Sequence, residues 1–204
     1  MTMNIDAVRS IIIGNIEALD QGIHLVNALS DAQYRFTDSS YTQSSIGQHF
    51  RHIIDMYMVV SYPDDSSIID YDTRRRGADV ETCCDTAIRE LNVIKTYISA
   101  YLNNLDESIA LLDQDVDIKT EVTIDETHSV VLRSNKLREL VFTSSHAVHH
   151  FALISMIAKI QGIVLDKNIG VAPATATFLR SEAEEVREMR VEGESEITEA
   201  LSEQ

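Results

Sequence analysis

The sequence predicts a mainly helical domain with four long helices and one β-hairpin. Apolar residues recur at alternating three- and four-residue spacing in several long segments, and a single short region is rich in Val, Ile and Thr. Such spacing places apolar side chains on one face of an α-helix. The 204 residues include only 7 Gly and 2 Pro, which disfavours a turn-rich all-β fold. A chain of this length can bury a full core without disulfides.

The first two helices are defined by their apolar faces and by one capping pattern. The first helix is predicted over 4–30, and a polar connection follows at 31–44. The second helix begins after Ser45 because Ser45 and Gln48 form a capping box, in which each side chain accepts a hydrogen bond from the other residue's backbone N–H. Its apolar face extends to Val60.

The middle of the chain holds the third helix and the hairpin. A loop is predicted at 61–78, after which Asp79 caps a helix that ends near Asn103. The segments 116–124 and 128–133 are rich in Val, Ile and Thr and are separated by polar residues, which predicts a β-hairpin. Its threonines and acids predict a solvent-facing excursion from the helical domain.

The fourth helix is predicted over 135–161, with Ser134 as its cap and Gly162 at its end. It is apolar nearly all round, so we expect it to be buried on more than one side, the second side against another subunit. The predicted domain covers 1–180. The segment 181–204 contains nine Glu and two Arg and few large apolar residues, which predicts an acidic, solvated tail.

The net charge and the cysteine content disfavour several classes of function and predict the cellular compartment. Thirty-three acids against seventeen Lys and Arg give a net charge of −16, which disfavours binding to nucleic acid or an anionic membrane. We expect no transmembrane helix and no signal peptide. The two cysteines, Cys83 and Cys84, are adjacent and poorly placed to bridge each other on a helix. We therefore predict a reduced, cytoplasmic protein.

The positions of the histidines are the clearest indication of a chemical function. Two of the predicted helices bear five of the seven: His49 and His52 on the second, His146, His149 and His150 on the fourth. His146 and His150 share one helical face, about 6 Å apart along the axis. Imidazoles within an apolar stripe need partners, and a divalent metal can supply them. A third histidine from a facing helix would complete a site with an open position. The alternative is that each histidine is an ordinary core or surface residue.

Two histidine-bearing motifs resemble a known family. The segments SSIGQHFRHIID at 44–55 and SSHAVHHFALISMIAKIQG at 144–162 resemble the motifs of the DinB superfamily, the damage-inducible, YfiT-like helical proteins. The resemblance covers roughly residues 5–180. It implies an all-α, up-down-down-up four-helix bundle, usually a dimer, with a divalent metal held by three histidines. The segment from Asp70 to Gly77 resembles an uncharacterised branch of that family.

The family motifs, matched residue by residue, imply three metal ligands in this chain. They are His52, His146 and His150, and the metal is expected to be Zn or Ni. His49 and His149 would then be neighbours of the ligands, or would replace one of them, because each lies one or three positions from a ligand in the sequence.

Several charged residues are further site candidates. Asp55 shares a helical face with His52, so it could be a fourth ligand, orient an imidazole, or simply be an exposed acid. Glu139 is a weaker candidate for a general base. The run Arg74, Arg75 and Arg76 predicts either an anion-binding site or ion pairs with the many acids.

These observations support two functional hypotheses. The first is a metalloenzyme in which the metal lowers the pKa of a thiol or water, giving thiol transfer, as the resemblance implies, or metal-assisted hydrolysis. Its partners would be a second copy of the chain and a small thiol or anionic substrate. The second is a non-catalytic, metal-binding dimeric module. A site closed by Asp55 or Glu139 would favour the module, and an open coordination position would favour the enzyme.

Overall fold

The structure is a computed structural model that describes residues 4–62, 68–184 and 187. Within these residues the chain is mostly helical, with a small sheet. Up to Ile160 the helices are α1 (Ile5–Asn27), α2 (Asp31–Arg35), α3 (Ile46–Ser61), α4 (Cys84–Ala100), α5 (Leu105–Leu112) and α6 (Lys136–Ile160), and Asp79–Glu81 form a 3-10 turn. The strands are β1 (Ile68–Asp70), β2 (Asp115–Glu121) and β3 (Ser129–Asn135).

The predicted all-α, up-down-down-up four-helix bundle is wrong as a fold class. β1, β2 and β3 form one mixed sheet, and the short helices α2 and α5 occupy segments without a clear helical pattern. β1 runs parallel to β2, with Ile69 opposite Ile118. β1 lies in the segment predicted as a loop, and its pairing partner β2 follows only after α4 and α5. Such non-local pairing leaves no local periodicity.

The predicted hairpin region forms the antiparallel pair β2–β3, in which Val116 lies opposite Ser134. It is only in part a solvated excursion: Val116 and Ile118 of β2 are buried in the main core, whereas most of β3 is exposed. β1 supplies the third strand, and its Ile69 is fully buried. The sheet is thus joined to the helical core through its apolar side chains.

The four long helices position the histidine-bearing segments. α1 packs against α4 and α6, and α3 packs against the same two helices. Phe50 on α3 and Phe151 on α6 meet with ring centroids 6.0 Å apart, and Gly22 on α1 leaves room for both rings. Burial of these aromatic side chains stabilises the pairing of α3 with α6. The pairing brings the two histidine motifs side by side.

The observed start of α3 agrees with the start predicted from the sequence, and the observed start of α4 does not. Ser45 and Gln48 form the predicted capping box at the start of α3. Asp79 does not cap α4, which begins five residues later at Cys84. The backbone N–H of Cys84 instead donates to the carboxylate of Asp31, 2.8 Å away. A cap supplied by a residue 53 positions earlier is invisible to local pattern analysis.

The N-cap of α6 lies one residue later than predicted, whereas the glycine at its C-terminal end is as predicted. Asn135, and not Ser134, accepts a hydrogen bond from Arg138 N at the start of the helix. Gly162 ends α6 with φ of 72°, as the sequence predicts. α6 leaves apolar side chains exposed, including Val141, Met156 and Ile160.

Within the described residues, α6 is also the one helix that is long and apolar enough to cross a membrane by length and composition. The prediction from the sequence was that no transmembrane helix is present. The core helix of a soluble protein passes the same test, and α6 carries the fully buried Glu139 and packs against α1 and α3. One helix of this kind is weak support for a membrane protein.

The chain divides into two compact units, Met1–Gly170 and Val171–Gln204. In the second unit, residues 173–184 are helical, with Pro173 at the first position. Most of the predicted acidic tail, 185–186 and 188–204, lies outside the described residues.

Candidate metal centre

Three histidines from α3 and α6 converge on one point. The Nε2 atoms of His52 and His146 are 2.9 Å apart, and the Nε2 atoms of His146 and His150 are also 2.9 Å apart. One ring nitrogen from each of the three lies within 4.8 Å of the other two. This three-histidine group could hold a metal ion.

Two of the three nitrogen–nitrogen distances are close to those around a small divalent cation. A tetrahedral ion with metal–nitrogen bonds of about 2.0–2.1 Å separates its nitrogen ligands by about 3.3 Å. The nitrogens that are 2.9 Å apart would therefore move by only a few tenths of an ångström to accept such an ion. Neutral imidazoles suit Zn, Ni, Cu and Fe, so the ligand set does not define the metal.

The environment keeps these imidazoles neutral. Burial, and next the positive charge of Arg74, lowers the pKa of His52 to about 3. Burial, and next the neighbouring His146, lowers the pKa of His150 to about 3. The pKa of His146 is also lowered, first by burial and then by His149. A histidine must be deprotonated to bind a metal, so these shifts keep the nitrogen lone pairs available.

His49 lies directly beside one of the three histidines. Its Nδ1 is 2.9 Å from the Nδ1 of His150. With the Nε2 of His150 on a metal, its Nδ1 carries the hydrogen and donates to His49, a contact that fixes the orientation of the ligand ring. His149 is exposed, with its ring centroid 5.6 Å from that of His150. Neither His49 nor His149 belongs to the converging group.

Asp55 is buried and held by arginines. Its side chain is 4% exposed and accepts hydrogen bonds from the Nε of Arg75, 2.6 Å away, and from the backbone N of Arg75 at 3.1 Å. The Nη1 of Arg51 is 3.5 Å from the same carboxylate. Asp55 is thus neither an exposed acid nor one of the converging ligands. The sequence placed it on the correct helix but gave no sign of its arginine partners.

Glu139 is fully buried and accepts hydrogen bonds from three side chains. The hydroxyl of Tyr71 donates to it at 2.6 Å and the Nη1 of Arg138 at 2.7 Å, and the hydroxyl of Ser134 donates as well. Burial, and next the hydrogen bond and charge of Glu139, raise the pKa of Tyr71. These contacts join the loop after β1, strand β3 and α6, so Glu139 has a structural role and its assignment as a general base is not supported.

The three arginines of the loop after β1 have different surroundings. Arg75 pairs with Asp55 and with Glu90, whose carboxylate is 2.8 Å away, which matches the ion-pair interpretation of the run. Arg76 is exposed. Arg74 is half-buried and donates to the backbone carbonyls of Tyr71 and Thr73.

The cysteines do not contribute to the centre. Cys83 and Cys84 are both free thiols. Cys84 is buried in the core, and burial together with Asp31 raises the pKa of its thiol to about 12. Since the thiolate is the reactive form, Cys84 is unsuited to nucleophilic chemistry.

Comparisons with known proteins do not assign this chain to a family. No family model matches the chain, and no solved structure matches it. Among curated proteins, FK506-binding protein 5 of Rhizopus delemar is 26% identical over 118 residues, which is 57% of this chain and 29% of that protein. The match thus spans less than a third of its length. A likeness of this extent assigns neither a family nor an activity to this chain.

Proposed function

We propose that this chain is a metal-dependent enzyme related to the DinB-like proteins, with a Zn or Ni ion held by His52, His146 and His150. The observation that carries the proposal is the convergence of three neutral imidazole nitrogens from α3 and α6. Three protein ligands leave a fourth position for a water or substrate, which is the ligand number typical of catalytic zinc.

The carboxylates near the site support an open coordination position. Asp55 is bound by Arg75 and Arg51, and Glu139 is bound by Tyr71, Ser134 and Arg138. If either buried carboxylate moved to the metal, its arginine partners would lose their ion pairs, which would destabilise the fold. Neither residue is therefore expected to close the site, and this favours the enzyme over the non-catalytic module.

The reaction class follows from the ligands. When bound, a divalent cation would supply Lewis acidity and lower the pKa of a thiol or water at its open position. The three histidines orient that position, and His49 holds the ring of His150 in place. Thiol transfer to an electrophile and hydrolysis are the two reactions that we propose, in a cytoplasmic homodimer.

Metal content is the first test. Protein purified without a His tag is expected to bind one Zn or Ni per chain and to lose it in the variant His146→Ala. His149→Ala is the matched control, because His149 is exposed on the same helix and should not affect metal content. Absence of metal uptake by the wild-type protein would refute the proposal.

Activity is the second test. Metal-loaded protein is assayed for thiol consumption with chlorodinitrobenzene and for hydrolysis of nitrophenyl acetate, each against the metal-stripped protein and His146→Ala. A rate that requires both metal and His146 supports the enzyme. Stoichiometric metal binding with no such rate in either assay would favour the metal-binding module instead.

A further inference from the structure

The loop after β1 contacts both helices that carry the histidines, α3 and α6. Tyr71 binds Glu139 of α6 through its hydroxyl, and its ring packs against Phe142 with centroids 5.5 Å apart. Four residues later, Arg75 binds Asp55 of α3. Asp55 lies one turn after His52, and Phe142 lies one turn before His146. Residue 74 is therefore held between two anchors that flank the metal centre on its two helices.

Arg74 presents a free edge of its guanidinium at this position. Its Nη1 donates to the carbonyls of Tyr71 and Thr73, which orients the group. Within the part of the chain that the structure describes, its Nε and Nη2 donate no hydrogen bond, and no carboxylate forms an ion pair with it. Arg51 and Arg75, by contrast, each pair with an acid: Arg51 with Glu81 at 2.9 Å and Arg75 with Asp55 at 2.6 Å. An unpaired, half-buried arginine is unusual in a chain with net charge −16.

The charge of Arg74 reaches the metal centre. It contributes to the lowered pKa values of His52, His146 and His150. Burial, and next Arg51, lowers the pKa of Arg74 itself, whereas Asp72 and Asp55 raise it by less. A cation whose charge acts on all three ligands opposes binding of a divalent metal there, unless an anion lies between the two positive charges.

We propose that Arg74 binds a carboxylate of the small molecule that occupies the open coordination position. The inference rests on the proposed metal site and adds a substrate class to it. The Nε–Nη2 edge offers two parallel N–H donors, which match the two oxygens of a carboxylate. The substrate would be held at two points, one on the metal and one on Arg74, with the loop anchors at Tyr71 and Arg75 fixing the distance between them.

The test compares three probes that share a metal-binding group. Acetohydroxamate is neutral at its far end, whereas malonic and succinic monohydroxamates carry a carboxylate at two tether lengths. Their affinities are measured by visible absorption on the cobalt-loaded protein, after its metal content has been determined. We expect the better carboxylate probe to bind wild type about tenfold more tightly than acetohydroxamate. Arg74→Gln should abolish this preference, whereas any effect of the lost charge on the metal itself should change the affinities of all three probes alike.

Arg76→Gln is the matched control, since it removes an exposed arginine from the same run and should keep the preference. Equal affinity of all probes for wild type, or a preference that survives Arg74→Gln, would overturn the inference while leaving the metal site intact. Loss of both probe types in Arg74→Gln at full metal content would also overturn it, because Arg74 would then maintain the site as a whole. Wild-type protein that takes up no cobalt would overturn the proposed function and this inference with it.

Discussion

The Nε2 atoms of His52 and His146 lie 2.9 Å apart although 94 positions separate the two residues in the sequence. The contact exists only when α3 and α6 pack side by side, so metal binding and folding are linked. An ion that binds this arrangement, and not the unfolded chain, increases the free energy of unfolding. The Phe50–Phe151 contact positions the same two helices through apolar packing.

The first prediction concerns the three converging histidines. His52→Ala, His146→Ala and His150→Ala should each abolish stoichiometric metal binding, because each removes one of three ligands. His49→Ala should weaken affinity by about tenfold to a hundredfold, since it removes only the partner of the His150 ring. Elemental analysis and zinc titration measure both effects. An empty site in His149→Ala together with a full site in His150→Ala would show that the ligand register is wrong.

A second prediction separates structural from chemical roles at Glu139. Glu139→Gln replaces a carboxylate that accepts hydrogen bonds from Tyr71 and Ser134 with an amide that matches those donors poorly. We expect the free energy of unfolding in urea to fall by about 1–3 kcal/mol, with metal affinity unchanged. Glu126→Gln, at an exposed position in the β2–β3 turn, should change stability by less than about 0.5 kcal/mol. A large drop in metal affinity in Glu139→Gln would instead indicate a role at the centre.

A third prediction uses two glycines in helices. A Cβ at Gly47 would collide with the backbone carbonyl of Glu81 and lie 2.7 Å from the ring of Tyr34, so Gly47→Ala should destabilise the fold by about 1–3 kcal/mol or more. Gly14→Ala has open space and should stabilise α1 by about 0.5–1 kcal/mol. Urea unfolding of both variants tests the pair. Equal stabilities would contradict the close packing of α3 on the 79–81 turn.

The sequence predicted the features that depend on local patterns. Ser45 and Gln48 predict the start of α3 because a capping box involves only residues within one helical turn. Gly162 marks the end of α6 in the same local way. The HxxxH spacing of His146 and His150 put two imidazoles on one helical face, and the structure joins them to His52.

Features that depend on distant partners could not be predicted. β1 pairs in parallel with a strand that follows two helices later, and Asp31 caps α4 across the core. Asp55 and Glu139 were ambiguous for the same reason, because a buried carboxylate is defined by the donors that surround it. The arginine partners of Asp55 come from one turn of α3 and from the loop after β1.

A fourth prediction concerns association through α6. This helix exposes Val141, Met156 and Ile160, so we expect a homodimer that covers them. Light scattering should give twice the chain mass of 22.9 kDa, and Met156→Glu should return it to the monomer value. Val93→Glu, at an exposed apolar position on α4, is the control and should remain dimeric. A wild-type monomer at micromolar concentration would contradict the prediction.

The last prediction concerns acid stability of the metal-free protein. The folded chain keeps His52 and His150 neutral down to a pKa of about 3, whereas in the unfolded chain histidine titrates near 6.5. Below about pH 6.5 the unfolded state therefore binds more protons than the folded state, and stability must fall as the pH is lowered towards 3. Above about pH 7.5 both states are almost entirely neutral at these positions, so the two histidines contribute little pH dependence there.

Thermal melts of metal-stripped protein at pH 7.5 and pH 5 measure this effect. The double variant His52→Gln, His150→Gln is the control, because it keeps the carboxylates but loses both shifted histidines, and its melting temperature should fall less between the two pH values. Metal-loaded wild type should be more stable at pH 7.5 and should lose its metal as the pH falls through about 6 to 4, since protons compete for the same nitrogens. A chelator at pH 7.5 should then reproduce the melting temperature of the stripped protein. Coincident melts of loaded and stripped protein would show that the metal does not stabilise the packing of α3 on α6.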